Sequence, residues 1–128
     1  MTTSKPFRDR AFKHSVRRAY ANRCAVTGLL LLNAKCQPEV QAAHIRPVSE
    51  KGSDSVRNGL ALTGTVHWLF DNGVIAIKDD MRILVAEKYV PTKLMGLINE
   101  SGSLTLPSDS TEWPHPAFLA HHRKTFIV

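Results

Sequence analysis

Four polar residues between positions 44 and 71 have types and spacing that could support hydrolysis of a phosphodiester bond. His44 is followed fourteen residues later by Asn58, nine further on by His67, and four beyond that by Asp71. This reaction needs a base that takes a proton from water, together with groups that offset the transition-state charge and stabilise the departing oxygen. Histidine suits the first need because the unperturbed pKa of its side chain is about 6.5. A divalent ion held by N or O ligands suits the other two.

Two short strands are predicted to position the first half of this set. Residues 40–45 form a strand that carries His44, and Pro47, which cannot donate a hydrogen bond to a sheet, ends it. Residues 59–63 form the second strand, with Asn58 directly before it. An asparagine side chain can bond backbone groups on both sides of a loop, so we interpret Asn58 as an orienting residue.

A helix of about two turns is predicted to position the second half. Thr63 or Thr65 can cap its start, and the pair Asn72-Gly73 ends it. Residues four apart share one helix face, so His67 and Asp71 can bind one ion together. A helix this short must be held by packing or by a metal.

Length and composition predict one soluble globular domain that spans residues 1–128. Hydrophobic residues make up 43% of the chain and charged residues 22%, which is ordinary for a globular protein. The longest apolar run, residues 29–32, is far too short to cross a bilayer, and the N-terminus lacks the pattern of a signal peptide. We therefore expect a cytoplasmic protein with no membrane partner.

Positive charge is concentrated at the N-terminal end. The net charge is +6 at pH 7, and residues 1–23 alone hold seven basic residues and one acid. Such a block attracts a polyanion, although a solvated helix face would have the same composition. The arginines that we place on phosphates are Arg10, Arg17, Arg46 and Arg57.

Elements outside the central segment are predicted from apolar periodicity and turn residues. Residues 1–8 are predicted to be a flexible arm, and residues 9–22 a helix with Asp9 at its start and an apolar stripe at helical spacing. Further predictions are a strand at 29–32, a hairpin of 74–77 with 82–85, a short helix at 90–97, a loop at 99–116 and a closing helix at 116–126.

The two cysteines and the remaining four histidines are predicted to have no chemical role. Cys24 and Cys36 lack the second ligand pair of a zinc site, and a disulfide between them is unexpected in a reducing compartment. Both are expected to be free and largely packed. The histidines that we interpret as ordinary surface or core residues are His14, His115, His121 and His122.

The central segment resembles the HNH endonucleases with the ββα-metal fold. In particular, it is similar to a restriction-endonuclease branch with the pattern AAHI…NGLAL…H..FD.G, which stands here at residues 42–45, 58–62, 67 and 70–73. Residues 23–28 upstream and the hairpin downstream continue the likeness, as do 114–116 and 122–123. The resemblance implies an α+β fold. Its ββα-metal motif, at residues 40–73, would be wrapped by the N-terminal basic helix, the additional hairpin and the C-terminal helix.

The resemblance also implies a role for each site residue. His44 would be the general base, Asn58 the residue that positions it, and His67 a metal ligand. Asp71 stands where some HNH nucleases, such as colicins, have a further histidine ligand. One position departs from the pattern: many HNH enzymes have a metal-binding Asp or His directly before the base, and this chain has Ala43.

The activity implied by the resemblance is metal-dependent cleavage of double-stranded DNA that leaves a 5′-phosphate and a 3′-hydroxyl. With Ala43 at the position directly before the base, either the ion has fewer protein ligands and more waters, or His44 takes part in ligation. A loosely held Mg²⁺ or Mn²⁺ fits better than a locked Zn²⁺, and Zn²⁺ or Ni²⁺ is the further alternative. A homodimer would bring two such sites to the two strands. The alternatives are a DNA-binding module with the HNH fold that has lost catalysis, and the catalytic part of a larger restriction enzyme.

Overall fold

A computed structural model describes residues 4–127 and has an α+β architecture with two separate two-stranded antiparallel sheets. In chain order the elements are α1 (Lys5–Ala19), β1 (Gln41–His44), β2 (Gly59–Leu62), α2 (Gly64–Asp71), β3 (Ile75–Ile77), β4 (Ile83–Val85), α3 (Thr92–Met95) and α4 (Pro116–Arg123). Single 3-10 turns occupy 48–50, 56–58, 87–89 and 110–112. This arrangement confirms the predicted fold class.

The first sheet and the helix after it form a ββα unit. Strands β1 and β2 pair so that His44 lies opposite Gly59. Helix α2 begins one residue after β2 and ends at Asp71, two residues before Gly73, whose φ of +75° suits glycine. The predicted strands and helix of the central segment are therefore present, with Thr63 at the N-cap position of α2 but without a side-chain cap bond.

Helix α1 packs across this first sheet. Its buried residues Phe12 and Val16 belong to the same core as Leu60 and Leu62. A methyl group at Gly59 would lie 2.3 Å from Cγ2 of Val16, so only glycine allows the helix to come this close. The apolar stripe that predicted this helix is the face that it buries.

The second sheet supports the opposite side of the unit. Strands β3 and β4 form the predicted hairpin, and β3 contacts both α2 and α4. Helix α4 packs on β3 and buries Leu119 and His122, and the ring of His122 stacks on Phe70 of α2. The closing helix is confirmed, although it ends at Arg123 rather than at residue 126.

The predicted start of the N-terminal helix was wrong. Helix α1 begins at Lys5, and the Oγ atom of Ser4 accepts a hydrogen bond from the amide of Phe7. Ser4 followed by a proline in the first turn is a strong start signal, since proline is favoured where its missing N–H has no partner to lose. Residues 5–8 are therefore helical rather than part of an arm, and the rest of the predicted arm, residues 1–3, lies outside the described residues.

The strand predicted at residues 29–32 was also wrong. This segment makes a single bridge, between Leu32 and Pro38, and its last three leucines are exposed. It has the composition of a strand, but within residues 4–127 no strand pairs with it. The helix predicted at 90–97 is reduced to the single turn of α3. Both cysteines are free, but only Cys24 is buried, so the prediction of two packed thiols fails at Cys36.

Across residues 4–127, none of the helices is both long and apolar enough to cross a membrane.

Candidate active site

His44 is held at the end of β1 by contacts on two sides. Its ring stacks on Phe12 of α1, with ring centroids 3.9 Å apart and planes 4° from parallel. Its Nε2 atom lies 3.0 Å from Oδ1 of Asp54, in the loop between β1 and β2. The ring remains about one-quarter exposed. His44 is therefore oriented by packing and by a carboxylate, yet water can reach it.

Asn58 is fully buried and ties together the loop that leaves β1. Its Oδ1 atom accepts a hydrogen bond from the amide of Arg46 (2.9 Å), and its Nδ2 atom donates to the carbonyls of Arg46 (3.0 Å) and Ser53 (2.8 Å). Its own carbonyl accepts from the amide of Ile45, next to His44. Asn58 therefore bonds the backbone of the segment that follows His44, at Ile45, Arg46 and Ser53.

His67 and Asp71 lie on one face of α2. The Nε2 atom of His67 is 3.1 Å from Oδ2 of Asp71, and its Nδ1 atom is 2.6 Å from Oε1 of Gln41 on β1. The amide oxygen of Gln41 and the carboxylate of Asp71 are both acceptors, so each ring nitrogen of His67 faces an acceptor. A proton on each nitrogen satisfies this arrangement, as does a metal ion in place of the proton on Nε2.

His67 and Asp71 offer one imidazole nitrogen and one carboxylate oxygen, both of which could bind a divalent ion. Within residues 4–127, no group of three or more His, Cys, Asp or Glu side chains is placed to hold a metal. Ala43 is fully buried and adds no ligand. An ion held by His67 and Asp71 would therefore need water or phosphate oxygens for the rest of its coordination.

The His44–Asp54 pair and the His67–Asp71 pair line one open cleft of about 650 Å³ between α1, the ββα unit and α4. The cleft also contains a third pair that the sequence analysis did not predict: Nε2 of His121 lies 3.0 Å from Oε1 of Glu50. We had interpreted His121 as an ordinary residue, since 71 positions separate it from Glu50. Asp54 and Gln41 were also missed, since neither has a diagnostic spacing.

The four arginines predicted to bind phosphates differ in their surroundings. Arg10 is exposed and lines a second, basic groove with Lys13, His14, Arg17 and Arg18. The other three donate to backbone carbonyls through Nε: Arg17 to Val40, Arg46 to Glu50 and Arg57 to Trp113. These three are half-buried. They help to hold the fold, and only Arg10 is fully on the surface.

His122 behaves as the predicted core histidine. Its ring stacks on Phe70 at 3.6 Å between centroids, and Nε2 bonds to the carbonyl of the same residue. Burial lowers the pKa of His122, while the carbonyl bond and the charge of Asp71 oppose that change. His122 thus supports α2 from below as a neutral group. His115 was also predicted to have no chemical role. It is the N-cap residue of α4, and its side chain accepts a hydrogen bond from the amide of Ala117.

Comparison with known proteins agrees with this geometry. Residues 24–78 match a family described as HNH endonuclease, and this range contains both strands, α2 and all four predicted site residues. The structure is similar to a modification-dependent restriction endonuclease, TagI, with a TM-score of 0.72, 27% sequence identity and coverage of 92% of this chain. The middle of this chain, residues 24–78, is therefore similar to HNH endonucleases. No curated protein matches its sequence significantly.

The TagI chain, to which the structure of this chain is similar, is the longer of the two. The chain spans 38% of the length of the TagI chain that it matches. HNH endonucleases generally use divalent metal ions.

Proposed function

We propose that this protein is a metal-dependent HNH endonuclease that hydrolyses phosphodiester bonds of double-stranded DNA. The observation that carries the proposal is the shared cleft, in which a solvent-accessible imidazole, His44, lies together with the His67–Asp71 pair. A base and a cation-binding pair in one cleft meet the needs of water activation and charge stabilisation. The family match and the likeness to a restriction endonuclease support the same reaction.

Each residue has a role in this proposal. His44 accepts a proton from the attacking water, and Phe12 and Asp54 hold its ring in place. His67 and Asp71 would hold the divalent ion, Mg²⁺ or Mn²⁺, and Gln41 fixes the ring of His67. When bound, the ion supplies a Lewis acid for the phosphate and stabilises the departing oxygen. Asn58 keeps the loop beside His44 in its folded position.

The surface next to the cleft offers a path for the DNA backbone. A shallow groove along α1 shares His44 and Asp9 with the cleft, and shares Lys13 and Arg17 with the basic groove around Arg10. A strand bound in the cleft can therefore continue along α1 toward positive charge. Phosphate contacts of this kind position DNA without reading its sequence.

A second candidate, the catalytic part of a larger restriction enzyme, is favoured by the partial coverage of TagI. In that case the HNH domain supplies cleavage, and recognition of a sequence or of a modified base resides in other domains or a partner. The described residues include no helix or ribbon with an obvious base-reading role. Cleavage by the isolated chain would then be weakly selective.

The test is relaxation of supercoiled plasmid by the full chain with Mg²⁺, Mn²⁺, Ni²⁺ or Zn²⁺, on unmodified DNA and on DNA with methylated bases. We expect nicking with at least one ion, abolition by EDTA, and nicks that DNA ligase reseals because their ends are 5′-phosphate and 3′-hydroxyl. His44→Ala should remove nicking while it leaves DNA affinity nearly unchanged. Absence of relaxation under every combination of metal and substrate would overturn the proposal.

A further inference from the structure

The carboxylate of Asp54 is bound to the ring nitrogen of His44 that faces the loop. Oδ1 of Asp54 lies 3.0 Å from Nε2 of His44, and the ring cannot turn freely because Phe12 stacks on its face. An aspartate is ionised at neutral pH and can only accept hydrogen bonds. The proton of a neutral His44 ring must therefore reside on Nε2, which leaves the lone pair on Nδ1.

We propose that Asp54 is a positioning residue that selects this tautomer, so that Nδ1 of His44 is the atom that takes the proton from water. The proposal rests on the proposed function, in which His44 is the base. When Nδ1 accepts the proton, the ring becomes a cation next to the carboxylate, and that contact stabilises it. An aspartate beside a catalytic histidine acts in the same way in serine proteases, by orientation rather than by accepting the proton.

The loop around Asp54 is fixed before any substrate binds. The carbonyl of Ser53 accepts from Asn58, and the Oγ atom of Ser55 accepts from the amide of Arg57. From the other side, Nε of Arg8 on α1 lies 3.9 Å from Oδ2 of Asp54. The carboxylate is therefore held between α1 and the loop, and its orientation toward His44 needs no rearrangement.

The other acids that line the cleft are each bound to a different group. Asp9 pairs with Lys5, Glu50 with His121, and Asp71 with His67. Among the described acids of the cleft, Asp54 is thus the one that bonds to His44. This distribution assigns the selection of the His44 tautomer to a single side chain, which a single substitution can test.

Nitrogen-15 NMR of the histidine rings tests the tautomer in the full chain without metal or DNA. At pH 8, where an ordinary imidazole is neutral, we expect His44 to carry its proton on Nε2. Asp54→Asn keeps the size of the side chain, but an amide can also donate a hydrogen bond. In that variant the Nδ1–H form should appear. A wild-type ring protonated on Nδ1, or an unchanged tautomer in the variant, would refute the assignment.

Steady-state plasmid nicking tests the consequence for the reaction. We expect Asp54→Asn to lower kcat about 10- to 100-fold, the range seen when carboxylates that orient metal-bound imidazoles are removed, with KM unchanged. Asp80→Asn is the matched control, because Asp80 is exposed and bonds the backbone amide of Arg82 in the β3–β4 turn. Thermal unfolding of both variants checks that they are folded.

The two measurements separate this proposal from the proposed function. If the wild-type protein nicks DNA and Asp54→Asn nicks it equally well or faster, the positioning role is wrong and the nuclease stands. If the wild-type protein does not nick DNA, the proposed function fails, and the NMR result still decides whether Asp54 sets the tautomer of His44. A fall in kcat without a change of tautomer would also contradict the proposal.

Discussion

The imidazole of His67 has a different partner at each nitrogen, and these two contacts fix the orientation of its ring. Its Nδ1 atom lies 2.6 Å from Oε1 of Gln41, and its Nε2 atom lies 3.1 Å from the carboxylate of Asp71. Partners of this kind fix the orientation of a metal-binding histidine. Gln41 lies three residues before His44, so β1 carries both the candidate base and the residue that orients a candidate ligand.

Loss of either member of this pair should weaken metal binding. We expect Asp71→Ala and His67→Ala each to lower Mn²⁺ affinity by at least about tenfold, measured by isothermal titration calorimetry without DNA. Asp80→Ala, at an exposed position in the β3–β4 turn, is the control. Equal affinities of the three variants and the wild-type protein would show that the ion binds elsewhere.

At the scale of elements, the position of α1 decides the position of His44. Phe12 packs on the ring of His44, and Phe12 and Val16 also fill the space above Gly59, which is paired with His44 across the sheet. The helix, the strand pair and the candidate base thus form one packed unit. A change that lifts α1 should act on both stability and catalysis.

Gly59→Ala should cause such a change. The added methyl group would lie 2.3 Å from Cγ2 of Val16, which forces α1 outward and should cost about 1–3 kcal/mol of unfolding free energy. Urea unfolding measures this cost. Val16→Ala in the same chain makes room, so the double variant should lose less stability than the sum of the two single variants. Strict additivity would contradict the close contact.

Local sequence was sufficient to predict the elements of the site but not its contacts. The spacing of His67 and Asp71 on a helix fixes their shared face, so their proximity followed from helix geometry alone. The bond between Asp54 and His44 depends on how the loop folds back, and alternation along a strand carries no information about that. The pairing of Glu50 with His121 depends on tertiary packing of α4.

Predicted element boundaries were wrong where a single local signal outweighed the neighbouring residues or the tertiary partner. The N-terminal helix was predicted to start at Asp9 because an acidic residue suits the first turn of a helix. In the structure the N-cap residue is Ser4. The leucines at 30–32 have strand composition but remain exposed, because no strand in the described part of the chain pairs with them. Composition indicates what a segment can form, and the presence of a partner decides it.

At the scale of the whole molecule, His122 should make stability depend on pH. Burial lowers its pKa, and in the described residues its Nδ1 atom has no hydrogen-bond partner, so a second proton would be poorly accommodated. The unfolded chain binds that proton with an ordinary pKa of about 6.5. The unfolded state therefore holds more protons below that value, and stability that is present above it is lost as the pH falls.

We expect the urea midpoint to fall between pH 7.5 and pH 5.5, and to fall less in His122→Gln. Glutamine stays neutral and can still donate to the carbonyl of Phe70, which now accepts from His122. The other histidines are common to both proteins, so the difference between the two declines isolates His122. Equal declines would show that its protonation is not linked to folding.

Binding of DNA along α1 should depend strongly on salt. If about five basic residues contact phosphates, the logarithm of affinity should fall against the logarithm of salt concentration with a slope of roughly −4 to −5. Arg10→Ala should reduce the magnitude of that slope by about one. Arg17→Ala should mainly lower stability, because Arg17 holds the carbonyls of Val40 and Pro38. A flat salt response would exclude α1 as the DNA contact.

The most direct test of the central claim is the rate of plasmid nicking, under single-turnover conditions, by three proteins at equal DNA occupancy. These are the wild-type protein, His44→Ala, and His115→Asn, which changes a histidine outside the cleft and keeps an N-cap side chain for α4. Loss of a general base should slow nicking about 10²- to 10⁴-fold in His44→Ala. His115→Asn should nick at the wild-type rate. Equal rates for wild-type and His44→Ala would contradict the assignment of this cleft as the active site.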